Sequence, residues 1–181
     1  MTQHLQPKEP NSWFARRSRH GGADQIPLPV TAGGLWLCGK HFVGPDPEAA
    51  MHHVSATTIV CLTQRGELEH RYPQYVEWLQ AHSPALAVWF PIHDLGAPTL
   101  LHVTPLLAEL RARLEAGDTL LVHCGAGIGR AGTIAVALLM TMGVEHQRAL
   151  QMVASHRLMA GPEAGAQREL LNELEAANLQ R

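Results

Sequence analysis

The sequence predicts an α/β fold, in which a central and mostly parallel sheet is flanked by helices on both sides. Two observations predict it: four short apolar runs are spaced along the chain, and amphipathic segments with helix-capping residues lie between them. With 181 residues, the chain is long enough to bury one complete core and too short to favour two domains. We therefore expect one domain over residues 28–181, with one active site.

The apolar runs predict buried strands, and the segments between them predict helices. The expected strands cover 35–38, 58–62, 86–90 and 119–123. The expected helices cover 48–56, 72–82, a segment from Thr104–Pro105 to the turn at Gly117, 130–142, 145–156 and 163–178. Residues 1–27 carry prolines and glycines with little periodicity, which predicts an extended or partly ordered N-terminal arm.

The composition excludes several classes of function. Hydrophobic residues at 46% and charged residues at 17% are ordinary for a soluble globular protein, which argues against a disordered or fibrous chain. A formal net charge of −2 provides no positive electrostatic field that would attract nucleic acid. The basic cluster at Arg16, Arg17 and Arg19 indicates a solvated tail. The N-terminus has no apolar run of signal-peptide length, and no segment approaches the ~18 apolar residues that a membrane helix needs. We expect a cytoplasmic protein without a nucleic-acid or membrane partner.

The cysteines and histidines predict neither a disulfide framework nor a metal site. Cys38, Cys61 and Cys124 are odd in number and widely spaced, which favours reduced thiols. No Cys-x-x-Cys pair occurs, and the twelve histidines show no His-Glu-x-x-His spacing, so we expect no metal and no cofactor.

The segment 123–130, His-Cys-Gly-Ala-Gly-Ile-Gly-Arg, carries the clearest chemistry, because it joins a predicted strand to a predicted helix. A strand, a glycine-rich loop and a helix N-terminus gather backbone N–H groups around one point, which binds phosphate. Arg130 can add a planar bidentate clamp. Cys124 begins the loop, where the helix N-terminus and the arginine favour its nucleophilic thiolate form. The predicted phosphate-binding residues are Gly125, Ala126, Gly127, Ile128, Gly129 and Arg130.

This segment, His-Cys-x5-Arg followed by Ala-Gly-Thr, resembles the signature of the protein tyrosine and dual-specificity phosphatases. The resemblance implies their fold and their reaction, in which Cys124 attacks the phosphorus of a phosphorylated protein and water hydrolyses the cysteinyl phosphate. The substrate would be phosphotyrosine, with phosphoserine and phosphothreonine as further candidates. The alternative is a structural glycine turn beside a buried cysteine.

The family also uses an aspartate on a separate loop, which protonates the leaving oxygen. Residues 90–98, Phe-Pro-Ile-His-Asp-Leu-Gly-Ala-Pro, resemble the Pro-Ile-x-Asp-x-x-x-Pro loop of the kinase-associated dual-specificity branch. The resemblance therefore implies that Asp94 is the general acid. A cap or turn role for Asp94 is the alternative.

Three further residues are candidates for supporting roles. The segment 161–167 resembles the loop whose glutamine positions water against the phosphoenzyme, which implies that role for Gln167, unless it is an ordinary surface residue of a helix. Residues 61–68 resemble the same branch, and Glu67 either holds Arg130 or a loop in place or forms an exposed ion pair. His123 is expected to support the loop through a hydrogen bond to its backbone.

The sequence departs from the family at Ala131, where a serine or threonine usually follows the arginine. That hydroxyl stabilises the thiolate as it leaves, and loss of a hydrogen bond to a charged group costs roughly 1.5–3 kcal/mol, which predicts slow phosphoenzyme hydrolysis. Thr133 is a supporting candidate, although it lies three residues into the helix. Cys38 and Cys61 are either buried core residues or partners in a protective disulfide with oxidised Cys124.

Three rival functions are open. The first is a weakly active, phosphatase-like module that binds phosphoproteins. The second is another enzyme with a cysteine and an anion loop, such as a sulfurtransferase or an arsenate reductase, which would not require Asp94. The third is a phosphatase of phosphoinositides or nucleotides, although the loop adds no lysine to Arg130, which favours a phosphoprotein. The oligomeric state is open.

Overall fold

A five-stranded sheet forms the centre of the computed structural model, which describes residues 22–29 and 31–180. Its strands are β1 (Asp24–Ile26), β2 (Gly34–Gly39), β3 (Thr58–Cys61), β4 (Ala87–Trp89) and β5 (Thr119–Cys124). They lie in the order β1-β2-β5-β3-β4, and only the β1–β2 pair is antiparallel. The predicted mostly parallel sheet is confirmed.

Helices cover both faces of this sheet, as the strand-and-helix alternation predicts. The described α-helices are α1 (Lys40–Val43), α2 (Pro47–Val54), α3 (Pro73–His82), α4 (Leu100–Glu115), α5 (Gly129–Thr141), α6 (His146–His156) and α7 (Gly165–Leu179). One core contains residues of α1 to α3, and the other contains residues of α4 to α7. Every residue of β3 is buried, as expected for a strand covered on both faces.

Helix α5 is the central element of the larger core. Its residues from Gly129 to Met140 are all buried, because α4, α6 and α7 pack around it. A helix that is apolar on all sides has this environment. Since α5 begins directly after the glycine-rich loop, the burial fixes its N-terminus, which carries partial positive charge, beside that loop.

One predicted helix boundary is wrong by several residues. Helix α4 begins at Leu100 rather than at Thr104–Pro105, and Pro105 lies inside it. The Thr99 side chain accepts a hydrogen bond from His102 N and caps the first turn. Proline cannot donate to the carbonyl of Leu101, but Leu101 is exposed, so that carbonyl can bond water instead. The other predicted helix and strand limits agree within two residues.

The end of the predicted N-terminal arm belongs to the sheet. Residues 1–21 lie outside the described residues, whereas Asp24–Ile26 form the edge strand β1 and pair with β2 from Leu37 to Leu35. Local pattern does not predict this strand, because it is three residues long and contains an aspartate. The Asp24 side chain is buried in an ion pair with Arg157, at 2.7 Å. A contact so distant in sequence leaves no local signal.

The parallel strands bring four loops to one edge of the sheet. The chain leaves the carboxyl ends of β2, β3, β4 and β5 at this edge, and in the sheet Cys61 pairs with both Trp89 and His123, while Gly39 pairs with Cys124. Ligand sites of open α/β sheets lie at such an edge.

Among the helices of the described residues, none has the length and apolar character needed to cross a membrane.

Candidate active site

The glycine-rich loop after β5 is held by hydrogen bonds that Lys40 and Arg157 donate to its backbone carbonyl groups. Lys40 N donates to Gly125 O at 3.0 Å, and Arg157 donates to Ala126 O at 2.8 Å and to Gly127 O at 2.6 Å. A planar trans peptide points its C=O and its N–H in opposite directions. The three N–H groups that follow these carbonyls therefore point away from Lys40 and Arg157, as the predicted anion site requires.

Gly127 is required by this loop geometry. Its φ of +73° lies in the left-handed region, and a Cβ at this position would collide with the carbonyl oxygen of Cys38. The loop thus passes directly over the end of β2. Cys124, the predicted nucleophile, ends β5 at the start of this loop and is buried except for 3% of its surface.

Arg130 is fixed by two segments of the protein, the one that carries Glu67 and the loop that carries Ile92 and Asp94. Its guanidinium donates to both carboxylate oxygens of Glu67, at 2.6 and 2.8 Å, and to Ile92 O at 2.9 Å, and it lies 3.0 Å from Asp94 Oδ1. The structure thus brings together Arg130 and two predicted acidic residues from separate loops. The Arg130 side chain is 3% exposed, so these bonds replace its hydration.

The pKa values of this pair reflect their mutual hydrogen bonds. Partial burial of Glu67 opposes its charged form, but the bonds from Arg130 and from Gln64 N lower its pKa below the ordinary value. Burial likewise opposes the charged form of Arg130, yet the bond to Glu67 and the nearby negative groups raise its pKa. Both groups are therefore charged over the physiological range, and Arg130 presents a fixed positive charge beside the loop.

Asp94 lies on the loop between β4 and α4, and its side chain is 69% exposed while it contacts Arg130. Asp94 lies in a turn, which is closed by the hydrogen bond from Gly96 N to His93 O at 2.9 Å. The alternative role for Asp94, that of a turn residue, therefore matches its position as well. Leu95 has a φ of +58°, which few non-glycine residues adopt. Asp94 thus places an exposed carboxylate beside the arginine that is predicted to hold phosphate.

His123 is buried behind the loop in a neutral form. Burial lowers its pKa to about 4. Its Nδ1 faces Cys124 O at 3.4 Å and must donate there, so its Nε2 accepts from the Tyr75 hydroxyl, 2.6 Å away. The predicted contact with loop backbone is present, and Tyr75 is a partner that sequence reasoning missed, because it comes from the distant helix α3.

Gln167 is buried, with 1% exposure, rather than on a helix surface. Its Oε1 accepts from Glu163 N at 2.7 Å and from Ala164 N at 3.4 Å, and its Nε2 donates to Gly96 O at 3.2 Å. Both ends of the amide are thus bonded to backbone. The water-positioning role that the resemblance implies stays a prediction.

Thr133 and Ala131 supply no hydroxyl to Cys124. Ala131 is fully buried in the larger core. Thr133 Oγ1 is buried and has no hydrogen-bond partner among the described residues, so it is not bonded to the cysteine sulfur. The departure from the family pattern at Ala131 is therefore not compensated by Thr133.

Cys38 and Cys61 flank His123 on the two neighbouring strands and belong to the core on the face opposite to that of Cys124. A disulfide with Cys124 would require one side chain to cross the sheet, which argues against the protective disulfide. Burial raises the pKa of Cys38, and it raises that of Cys61 to about 11. Both thiols are therefore protonated core residues.

Arg157 is the largest contributor to the site that the sequence did not indicate. Besides the two loop carbonyls, it bonds Asp24 Oδ2 and the carbonyls of Gly22 and Leu37. Nothing in its local sequence distinguishes it from a surface arginine after a helix.

Over residues 22–29 and 31–180, no group of three His, Cys, Asp or Glu side chains is arranged to hold a metal ion.

Comparisons with known proteins identify a domain family and similar folds. The family model described as PTP-SAK, Swiss Army Knife protein, DSP-PTPase phosphatase domain, matches residues 44–176. The solved structure of kinase associated phosphatase (KAP) with its catalytic cysteine replaced by serine is 21% identical, with a TM-score of 0.73 and coverage of 88% of this chain and 96% of that chain.

Two further solved structures share the fold. Tk-PTP in its active form is 24% identical, with a TM-score of 0.64 and coverage of 84% of this chain and 96% of that chain. Human DUSP28 is 24% identical, with a TM-score of 0.64 and coverage of 87% and 95%. No curated protein is similar enough in sequence to match.

Proposed function

The chain belongs to the DSP-PTPase family of phosphatases, whose domain model covers residues 44–176, and we propose that it hydrolyses phosphotyrosine in proteins, with phosphoserine and phosphothreonine as further substrates. The observation that carries the proposal is the joint contact of Arg130 with Glu67 and Asp94 at the end of the Cys124 loop. That contact supports one site with a nucleophile, a phosphate clamp and an acid.

In the first chemical step, the Cys124 thiolate attacks phosphorus while the bond from phosphorus to the leaving oxygen breaks. The loop N–H groups and Arg130 hold the equatorial oxygens, whose charge they stabilise throughout. Asp94 acts here in its protonated form: it gives its proton to the leaving oxygen, which departs as a neutral phenol or alcohol, and Asp94 becomes the carboxylate. The products are the dephosphorylated protein and a cysteinyl phosphate.

In the second step, water attacks the phosphorus of the cysteinyl phosphate. The Asp94 carboxylate accepts a proton from this water, the sulfur–phosphorus bond breaks, and Cys124 returns to the thiolate as inorganic phosphate leaves. Ala131 has no hydroxyl, and the Thr133 hydroxyl is not bonded to Cys124. The departing sulfur therefore lacks a stabilising hydrogen bond, so we infer that this step limits turnover.

A phosphoprotein substrate is favoured by the charge of the loop. Its five residues between Cys124 and Arg130 carry no charge, so the site provides one guanidinium for one phosphate group. Polyphosphorylated ligands need more positive charge. We further propose a reducing compartment, the cytoplasm, because the nucleophile functions as a free thiolate and the three cysteines are free.

The proposal is tested with the hydrolysis of p-nitrophenyl phosphate and of a phosphotyrosine peptide. We expect Cys124→Ser to abolish both activities, and Asp94→Ala to reduce the activity on the peptide. Peptide binding without hydrolysis by the wild type would support the binding-module alternative. Phosphatase activity insensitive to Asp94→Ala would support another class of cysteine enzyme.

The substrate class needs a separate experiment. Asp94→Ala protein can be used to capture substrates from a cell extract, because it is expected to bind them without completing turnover. Release of captured proteins by vanadate, which competes for the phosphate loop, would identify specific substrates. Preferential hydrolysis of a phosphoinositide or a nucleotide in a substrate panel would contradict the phosphoprotein proposal.

A further inference from the structure

Gln167 joins the loop that carries Asp94 to the beginning of helix α7. It occupies the third position of that helix, where its Oε1 accepts hydrogen bonds from the backbone N–H groups of Glu163 and Ala164. Its Nε2 donates to the carbonyl of Gly96, two residues after Asp94, at 3.2 Å. An amide is suited to this position, because one end accepts and the other donates.

The fixed end of this connection is attached to the phosphate loop. Gly161 N donates to Ile128 O at 3.3 Å, immediately before helix α5. Gly132, one turn into α5, lies so close to Gly161 that a Cβ on Gly132 would collide with the Gly161 backbone nitrogen. The segment 161–167 is therefore packed on the first turn of α5, and its position relative to Arg130 is set by backbone contacts.

The free end of the connection is the exposed tip of the Asp94 loop. Residues 93–95 are exposed. Ile92, just before this tip, is held by backbone hydrogen bonds with Arg130 and Leu62, and the polar contacts given for the tip itself are the Asp94–Arg130 ion pair and the Gly96–Gln167 hydrogen bond. An ion pair with a largely exposed carboxylate is weak. The hydrogen bond of a buried amide is the more restrictive contact, because breaking it leaves a buried donor unpaired.

We propose that Gln167 is a positioning residue that holds the Asp94 loop over the phosphate loop and so acts on proton donation to the leaving group. This inference rests on the proposed phosphatase function. Its consequence differs from that of positioning water: loss of the Gln167–Gly96 bond impairs cleavage of the phosphoester, whereas loss of a water-positioning group impairs hydrolysis of the cysteinyl phosphate.

Leaving-group chemistry separates these two roles. p-Nitrophenolate leaves as a stable anion and needs little protonation, whereas the phenolates of phenyl phosphate and phosphotyrosine are more basic and need the acid. A displaced Asp94 therefore reduces kcat/KM for phenyl phosphate more than for p-nitrophenyl phosphate. A change in the second step affects neither kcat/KM, because that ratio reports events up to the first irreversible step.

Gln167→Glu is the variant that tests the tether, by which we mean the hydrogen bond from Gln167 Nε2 to Gly96 O. A glutamate at this position retains the acceptor for the N–H groups of the first turn of α7, as in a capping box, but loses the donor to Gly96. Gln167→Met loses both the acceptor and the donor. Gln151→Glu, on the exposed surface of α6, is the matched control for the added charge.

We expect Gln167→Glu to reduce kcat/KM for phenyl phosphate by about tenfold more than for p-nitrophenyl phosphate, the effect of a small displacement of a catalytic group. In an Asp94→Asn background the same substitution should produce no further loss, because the two residues act through one proton transfer. Gln151→Glu should retain wild-type values for both substrates.

An equal loss for both substrates, or a loss that persists in the Asp94→Asn background, would overturn the proposal. So would a larger pre-steady-state burst with unchanged kcat/KM, which is the signature of water positioning. Amide hydrogen exchange provides a readout independent of activity: Gln167→Glu should increase exchange at Leu95 and Gly96. Increased exchange with an inactive wild type would retain the tether and reject the phosphatase function, whereas unchanged exchange would reject the tether.

Discussion

Arg130 and Glu67 form a two-bond ion pair at 2.6 and 2.8 Å, between the first turn of α5 and the short 3-10 helix that follows β3. Glu67 is itself held by Gln64 N, and Lys40 Nζ donates to its carbonyl, so the carboxylate is fixed before any ligand binds. Arg130 is thereby oriented in advance, which reduces the cost of ordering a long side chain when a phosphate binds.

We predict that Glu67→Gln lowers kcat/KM by about ten- to a hundredfold, since a misplaced clamp loses transition-state contacts. Glu69→Gln is the matched control, because Glu69 forms an exposed pair with Arg65 on the same segment. Steady-state kinetics with p-nitrophenyl phosphate and inhibition by vanadate measure the effect. Wild-type values for both constants in Glu67→Gln would contradict the orienting role.

Gly127→Ala should remove anion binding by the loop. Gly127 and Gly143 both have positive φ, but a Cβ at 127 would meet the Cys38 carbonyl, whereas a Cβ at 143 would have open space around it. Gly143→Ala therefore measures the backbone cost by itself, about 1 kcal/mol. We expect Gly127→Ala to lose more stability in urea unfolding and to lose vanadate binding. Equal losses in the two variants would show that the collision is relieved without cost.

His123 should make the fold sensitive to acid. Its pKa in the folded state is lowered to about 4 from 6.5, so the unfolded state takes up the proton first, and stability is lost as the pH falls from 6.5 toward 4. The expected loss is on the order of 3 kcal/mol. Urea unfolding of His123→Gln across this range should show a shallower pH dependence than the wild type. His52→Gln, at an exposed position, should retain the wild-type slope.

Asp24→Asn should destabilise the protein, because it leaves the charge of Arg157 buried without its partner. The side chains of Asp24 and Arg157 are 0% and 5% exposed, and we expect a loss of about 3 kcal/mol. Glu115→Gln, in an exposed pair with Arg111, should cost below about 0.5 kcal/mol. Urea unfolding of the two variants makes the comparison. Similar losses would mean that Arg157 is held by the backbone carbonyls without help from Asp24.

Ala131→Ser should accelerate phosphoenzyme hydrolysis by about tenfold, because the new hydroxyl can stabilise the departing thiolate. Steady-state turnover of p-nitrophenyl phosphate should rise, and the burst of p-nitrophenol should become smaller. Ala135→Ser, one turn further along α5 and equally buried, is the control for a hydroxyl in the core. An unchanged burst and turnover in Ala131→Ser would show that the second step does not limit the wild type.

Local pattern predicted the elements whose residues carry their own signal. The β5 strand, the glycine-rich loop and α5 lie within one continuous segment, in which periodicity and glycine spacing express the structure directly. The resemblance of 90–98 to a family loop selected Asp94 for the same reason. By contrast, the sequence predicts the start of α4 four residues too late, because Pro105 is a stronger local signal than the Thr99 cap that begins the helix.

The sequence by itself determined the α/β class and the choice of Cys124 and Arg130 as the centre of the candidate site, because these depend on neighbours in the chain. Only the tertiary structure decided that Glu67 and Asp94 meet on Arg130, that Arg157 with Asp24 supports the loop, and that Gln167 bonds Gly96. These contacts join residues that are far apart in sequence, and buried polar groups choose partners by geometry after the sheet has formed. Their side chains therefore carry no periodic pattern from which the pairing could be read.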